Sequence, residues 1–298
     1  MKAIIPVAGH GTRLEPYSLN CQKCLLPVAG KPILEHILDR LTSAGICHIT
    51  IIVGYLGEQV KDFCQGYLKA KFTFIEQTKQ LGLGHAVYQG LDQSDEPVVI
   101  ALGDSIIELD YPQFISSAYS TIGVDQVPDP QRFGIAELDG DQIVDMIEKP
   151  KNPPSNLALI GIYYISSQKE LAKGIEFLME NDLCTYNEYQ LTDALKVMIK
   201  GGHIFKAFEI DNCLDCGIPS AMISTNQTLL KQGGVNVIHP TAIINNSVLN
   251  HCTISKNCSV IDSNLNNVIM LSGSKVKKQR IESKIIGFDE YLEEESSI

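Results

Sequence analysis

Lys2-Ala3-Ile4-Ile5-Pro6-Val7 runs straight into Ala8-Gly9-His10-Gly11-Thr12-Arg13-Leu14. After the single charge at Lys2 the first stretch is apolar, which is the pattern of a buried strand. It is too short for a signal peptide. The glycines that follow let backbone amides approach a phosphate closely, and Arg13 adds a bidentate phosphate donor. The loop has neither the third glycine of the dinucleotide fingerprint nor the Lys-Ser/Thr of the ATP-binding loop. Taken alone, it reads equally well as a plain strand-to-helix turn.

Working outward, the same alternation continues for about 230 residues. Ile33–Ala44 carries apolar residues at helical spacing (Ile33, Leu34, Ile37, Leu38, Leu41). Ile49–Val53 is a β-branched run, followed by a helix near Glu58–Leu68. Phe72–Ile75 is extended, His85–Gly90 a short helix and Val98–Leu102 another buried strand. Strand and helix in alternation imply a mostly parallel sheet wrapped by helices on both faces, a three-layer α/β/α domain. Ligands in such sheets sit beyond the carboxyl ends of the strands.

The chain has 298 residues, 44% hydrophobic and 20% charged, enough for one large domain and a small one. No apolar run approaches the ~18 residues of a membrane span. The formal charge is -11, which repels a nucleic-acid backbone at long range. A phosphate site must then be built locally from a few placed cations. Nine cysteines without a secretory signal imply reduced thiols and a cytoplasmic protein. Cys21/Cys24 and Cys213/Cys216 have the spacing of a zinc site or a redox dithiol.

Lys23-Cys24-Leu25-Leu26-Pro27-Val28 comes next, then Gly30-Lys31-Pro32-Ile33. With the Gly9–Leu14 loop, these residues resemble the signature of the sugar-nucleotide pyrophosphorylases: Gly-x-Gly-Thr-Arg, a gap, Lys-x-Leu-Leu-Pro-Val and Lys-Pro. Further stretches resemble that family in order. They are Leu102-Gly103-Asp104, Arg132-Phe133-Gly134-Ile135, Glu148-Lys149-Pro150, Leu159-Ile160-Gly161-Ile162-Tyr163, Glu188–Ala194 and Leu214-Asp215-Cys216-Gly217. Singly, each has a plain reading: Asp104 as a strand-end turn residue, Glu148/Lys149 as a solvated pair, Asp215 as a helix N-cap.

The resemblance implies a Rossmann-like nucleotidyltransferase domain that joins a nucleoside triphosphate to a sugar 1-phosphate, glucose 1-phosphate foremost, with Mg2+. It implies Arg13 and Lys23 as catalytic cations, one gripping the departing pyrophosphate, the other neutralising the α-phosphate. Ala8, Gly9, Gly11, Thr12, Gln77 and Gly82 would bind the nucleotide. Gly134, Glu148, Lys149 and Tyr163 would bind the sugar phosphate, and Asp104 and Asp215 the metal. Because Lys23 and Asp215 have these roles, the two Cys-x-x-Cys pairs that enclose them read as coincidence. A glutamine amide such as that of Gln77 matches a donor and an acceptor on a base edge. Gly82-Leu83-Gly84-His85-Ala86-Val87, Ala8 and Asp215-Cys216-Gly217 resemble the UTP enzymes more than the dTTP ones. Ser105 and Leu214 depart from the dTTP pattern.

The last ~65 residues change character. Ala242, Val248, Ile254 and Val260 recur every six residues among Asn, Ser and Thr. That spacing reads as a short left-handed parallel β-helix of two to four coils. The expected division is therefore 1–232 for the catalytic domain and 233–298 for a hexapeptide-like β-helix and acidic tail. Glu293–Ser297 should be frayed. Such coils also build acyltransferases, with His239 or His251 as a base, and this is the alternative activity. A non-catalytic sugar-nucleotide-binding protein is another; its mark would be loss of Arg13, Lys23, Asp104 or Asp215, all of which are present. The expected partners are nucleotide and sugar phosphate, with self-association left open.

Overall fold

The computed structural model describes residues 1–92 and 94–293, so the acidic end expected to fray lies, after Glu293, outside the described residues. The chain divides into two compact units. One is Met1–Gly9 with Ile37–Cys213; the other is His10–His36 with the chain from Leu214 onward.

The first unit is built on a nine-stranded sheet among the described residues. Its spatial order is 71–76, 48–53, 2–6, 98–101, 157–165, 120–126, 205–209, 142–148, 134–139. Each strand expected from sequence is present within a residue or two: Lys2–Pro6, His48–Val53, Lys71–Glu76 and Val98–Ala101. So are the helices α1 (Ile33–Ser43), α2 (Gly57–Gln65) and α3 (Leu83–Gly90). Ile4, Ile52, Val98 and Ile100 pack on one face with α3, α5 (Gln168–Glu180) and α6 (Leu191–Lys200). Ala3, Ile5, Ile51 and Val99 alternate with them and are buried too, so both faces are covered.

The expectation of a mostly parallel sheet needs correction. Lys2–Pro6 pairs in parallel with His48–Val53 and Val98–Ala101, and His48–Val53 with Lys71–Glu76. From Leu157–Ile165 onward the pairing is largely antiparallel. The physical reason is a hairpin: Gly134–Asp139 returns as Gln142–Glu148 through Gly140, whose φ is 62°. A direct return makes antiparallel neighbours, whereas a helical crossover makes parallel ones.

The second unit begins with two 3-10 turns, Thr12–Leu14 and Lys23–Leu25. A small hairpin follows, Pro27–Val28 against Lys31–Pro32. Its two turn residues, Ala29 and Gly30, are both left-handed, the geometry of tight hairpins. Ala29 N donates to Asn226 Oδ1 at 2.9 Å; Asn226 lies on α7 (Pro219–Gly233). Thr253 Oγ1 donates to the same oxygen at 2.6 Å, and Asn226 Nδ2 donates to His251 O. One fully buried amide thus holds hairpin, helix and C-terminal strands together.

Beyond α7 the chain winds in parallel rungs whose partners are always 16 residues apart: Asn236 with Cys252, Ile243 with Ser259, Asn264 with Arg280, Lys275 with Tyr291. Every coil turns three left-handed corners, at 246, 262 and 278; at 251, 267 and 283; and at 257, 273 and 289. Stacked inside are Ile244 over Val260 and Val276, and Ile254 over Met270 and Ile286. The six-residue period expected for these rungs is therefore overturned. Val248, on that period, is 62% exposed. Spacings between corners alternate five and six residues, so the true repeat is one whole coil.

Candidate nucleotide and sugar-phosphate site

Within the first unit, the ends of the buried strands are drawn together by close packing. Ala8 O accepts from Tyr55 N at 3.1 Å and from Gln80 Nε2 at 3.3 Å, which fixes the start of the glycine loop. Gly9 faces open space. Gly103 passes so close over Val7 that a side chain would collide with it. That contact sets Asp104 at the end of the Val98–Ala101 strand, beside the first strand's end. Leu102 N donates to Gly161 O at 2.9 Å, tying the same turn to the Leu157–Ile165 strand.

Gln77 follows the Lys71–Glu76 strand and is 7% exposed. Its Nε2 donates to Gly82 O at 3.2 Å and lies 3.1 Å from His85 Nδ1. Burial, helped by the Lys79 charge, lowers the His85 pKa and favours the neutral ring. Gln89 Nε2 stands 3.5 Å from His85 Nε2 while Gln89 Oε1 is buried without a partner among the described residues. Turning that amide over lets Oε1 accept from Nε2–H, and leaves Nδ1 to accept from Gln77. Three side chains then agree on one tautomer.

Gly82 and Gly84 lie tightly on Glu188–Gln190. Gly84 N donates to Tyr189 O and Tyr189 N to Leu81 O, both at 2.8 Å. The segment that carries Gln77's partner is thereby joined to the start of α6.

On the sugar-phosphate side, Glu148 and Gly134 face each other across the hairpin. Glu148 Oε2 accepts from Thr192 Oγ1 at 2.7 Å, and Oε1 lies 3.0 Å from Lys149 Nζ. Glu148 is 10% exposed and Lys149 48%, so the carboxylate is fixed and the ammonium reaches solvent. Lys149 has a left-handed φ of 40°. Its N donates to Phe133 O, and its carbonyl accepts from Tyr186 OH at 2.9 Å. Lys149, Lys151, Gln131, Tyr186, Glu188 and Gln190 line a cleft of about 420 Å3. Tyr163 is buried in the sheet, and burial together with the Glu148 charge pushes its phenol pKa well up. Asp193 is raised by burial, and the Glu148 charge adds to this against a Thr185 hydrogen bond and Lys196.

Within the second unit, Gly11 O accepts from Leu14 N and from Ser18 Oγ, both at 2.8 Å. Lys23 lies along Gly11, its Cβ 3.0 Å from where a Gly11 methyl would stand. Gln22, fully buried, caps the Lys23 turn by accepting from Cys24 N at 2.7 Å. Thr12 and Arg13 make up the turn between. Asp215 keeps Oδ1 on Gly217 N at 2.7 Å, and its carbonyl accepts from Thr225 Oγ1. These bonds set the direction of its carboxylate.

All nine cysteines are thiols. Burial raises Cys21 to about 11 and Cys64 to about 12, which makes both poor nucleophiles. His239 Nδ1 lies 2.9 Å from Thr241 Oγ1, and His251 sits at a coil corner. No helix among the described residues is long and apolar enough to cross a membrane.

Gln80, Thr192 and Tyr186 were not singled out by sequence reasoning. Thr192 falls in the quoted Glu188–Ala194 stretch, and Gln80 lies just after Gln77. Tyr186 has no sequence signal, since its bond spans 37 residues.

A family model described as nucleotidyl transferase matches residues 2–232, and the chain belongs to that family. It is 35% identical over 232 residues to the bifunctional protein GlmU of Methanocaldococcus jannaschii, covering 77% of this chain and 54% of that one. It is 34% identical over 250 residues to the glucose-1-phosphate thymidylyltransferase of Streptomyces antibioticus, covering 78% and 67%. A crystal structure of UDP-glucose pyrophosphorylase complexed with UDP-glucose matches with TM-score 0.66 and 25% identity, over 78% of this chain and 98% of that one. The chain spans little more than half the length of the M. jannaschii relative.

Proposed function

We propose that this chain is a sugar-1-phosphate nucleotidyltransferase. It condenses UTP or dTTP with a sugar 1-phosphate, glucose 1-phosphate foremost, to give a nucleotide sugar and pyrophosphate. The observation that carries the reading is the ordered set Arg13, Lys23, Asp104, Lys149 and Asp215, all within the matched residues 2–232.

The reaction is an in-line attack by an anionic phosphate oxygen on an anionic α-phosphorus, so positioning and charge stabilisation dominate. Lys149, exposed at its tip and anchored at its backbone, holds the sugar phosphate. The buried Glu148 carboxylate, fixed by Thr192, accepts from sugar hydroxyls. Gln77 has its nitrogen engaged, so its Oε1 accepts from a pyrimidine N3–H. Lys23 offsets charge at the α-phosphate, and Arg13 grips the pyrophosphate as it leaves. Ala8, Gly9, Gly11 and Thr12 supply backbone near the phosphates. Asp104 and Asp215 present carboxylate oxygens, the hard donors that Mg2+ takes, and would hold it. When bound, the ion offsets phosphate charge. UTP is favoured over dTTP by the Gly82–Val87 segment and by Ala8.

The reading takes 1–232 as the catalytic domain, in agreement with the span of the family match. Residues from 233 form a left-handed β-helix, supported by parallel rungs with three left-handed corners per coil. Thiols at all nine cysteines support a cytoplasmic setting. The test is pyrophosphate release from purified protein with Mg2+, across UTP, dTTP, CTP, ATP and GTP and several sugar 1-phosphates. Release with UTP or dTTP and glucose 1-phosphate is expected. Acyl transfer from a coenzyme A thioester without nucleotidyl transfer would overturn the reading.

A further inference from the structure

The C-terminal coils begin at an end with nothing set upon it. From Gln232 to Ser255 there is no Asp, Glu, Lys or Arg, in a chain that is 20% charged. Side chains that deeper coils bury are open here. Ile238 is 43% exposed, while Ile254 and Met270 in the same column are at 1% and 0%. Val237 is 38% exposed above the buried Thr253 and Ile269. Ile243 and Val248, both 62% exposed, widen the apolar patch.

The rungs Asn236–Ile238, Ile243–Asn245 and Val248–Asn250 each pair with the coil above and with no other described strand. Their other edges offer unpaired backbone groups, the feature that draws in another strand. The residues before them form α7, so the chain winds no earlier coil to cover this end. The last described coil is different: Lys275, Lys277, Arg280, Glu282, Lys284 and Glu290 guard it with charge. Solenoids need a polar cap at each end, and the first coil has none.

We propose that this end is the docking surface for a second copy of this chain, the two first coils meeting end to end about a two-fold axis. The net charge of -11 makes two copies repel over most of their surface. A charge-free end lets them meet without opposing like charges. It is also self-complementary, as a two-fold contact requires. Burial of Val237, Ile238, Ile243 and Val248 drives the contact. This inference does not depend on the catalytic reading.

Sedimentation equilibrium of the full chain from about 1 to about 100 μM should show a species of twice the 32.8 kDa chain mass. Ile243→Lys with Val248→Lys sets like charges against each other and should weaken the dimer at least about tenfold. Ile243→Ser with Val248→Ser should weaken it in the same direction, and both variants should keep the wild-type far-UV spectrum because the sites are exposed. Tyr291→Lys, in the last rung and 54% exposed, should leave the dimer unchanged. Added salt should hold or tighten it by screening the net repulsion. A chain that stays monomeric throughout, a dimer that survives both paired substitutions, or one that salt dissociates would overturn the proposal.

Discussion

Replacing Gly82 by alanine tests whether the nucleotide-side and sugar-side segments are mechanically joined. Gly82 has φ 106° and ψ 176°, a region essentially confined to glycine, where other residues carry a strain of order 1–3 kcal/mol. A methyl there would stand 2.7 Å from Glu188 Cβ, 2.8 Å from Tyr189 O and 2.9 Å from Tyr189 N. Two of the three atoms are backbone, so no rotamer change relieves the clash, and overpacking adds about 1–3 kcal/mol. The expected loss is about 2–5 kcal/mol, a large part of a domain stability of about 5–15 kcal/mol. Gly140→Ala is the control. Its φ is also positive, at 62°, but nothing lies within 4 Å of the added methyl. It should lose only the left-handed cost of about 1–2 kcal/mol. Urea unfolding followed by circular dichroism compares the two. KM for nucleotide and for sugar 1-phosphate should both rise in Gly82→Ala, because Gly82 O holds Gln77 while Glu188 and Gln190 line the Lys149 cleft. If Gly82→Ala is no less stable than Gly140→Ala, the close approach of the two segments is not what glycine serves there.

Lys149→Ala should raise KM for sugar 1-phosphate more than for the triphosphate, whereas Arg13→Ala should act chiefly on kcat, each at a cost of about 2–4 kcal/mol of transition-state stabilisation. Normal kinetics in both folded variants would remove them from the site. EDTA should abolish activity and Mg2+ restore it; stoichiometric zinc in the purified protein would instead point to the cysteine pairs. His85 has a lowered pKa, so folding disfavours its protonation. The stability it contributes is present above the ordinary imidazole value of 6.5 and is lost as pH falls through the lower folded value. Stability curves should therefore drop more steeply on acidification in wild type than in His85→Gln, and KM for nucleotide should rise over the same range as Nδ1 ceases to accept from Gln77.

The first half of the sheet was legible because its strands are buried on both faces, so that runs such as Ile49–Val53 and Val98–Ala101 are continuously apolar. The second half was not. Gly134–Asp139 and Gln142–Glu148 carry exposed polar residues on one side, and their order depends on a hairpin that periodicity does not encode. The glycine loop, Lys23, Asp104, Glu148, Lys149 and Asp215 stood out through motif spacing. Tyr186 and Thr192 act on the cleft through contacts across 37 and 44 residues, which no local pattern carries. The coil repeat misled because four apolar residues happen to fall six apart. Its true signal is weaker: Ile244, Val260, Val276 and Leu292, at steps of 16.

A stack in which every rung partners the residue 16 positions on behaves as a ruler with one graduation. Removing or inserting 16 residues shortens or lengthens it by a single floor and leaves each column in register. Any other number rotates all later residues, bringing Lys275 or Glu282 toward an interior that holds only apolar and small side chains. The length of this region can therefore change by inheritance in whole floors only. Its outer faces, where Asn250, Asn266 and Glu282 form a hydrogen-bonded column, are free to vary one residue at a time.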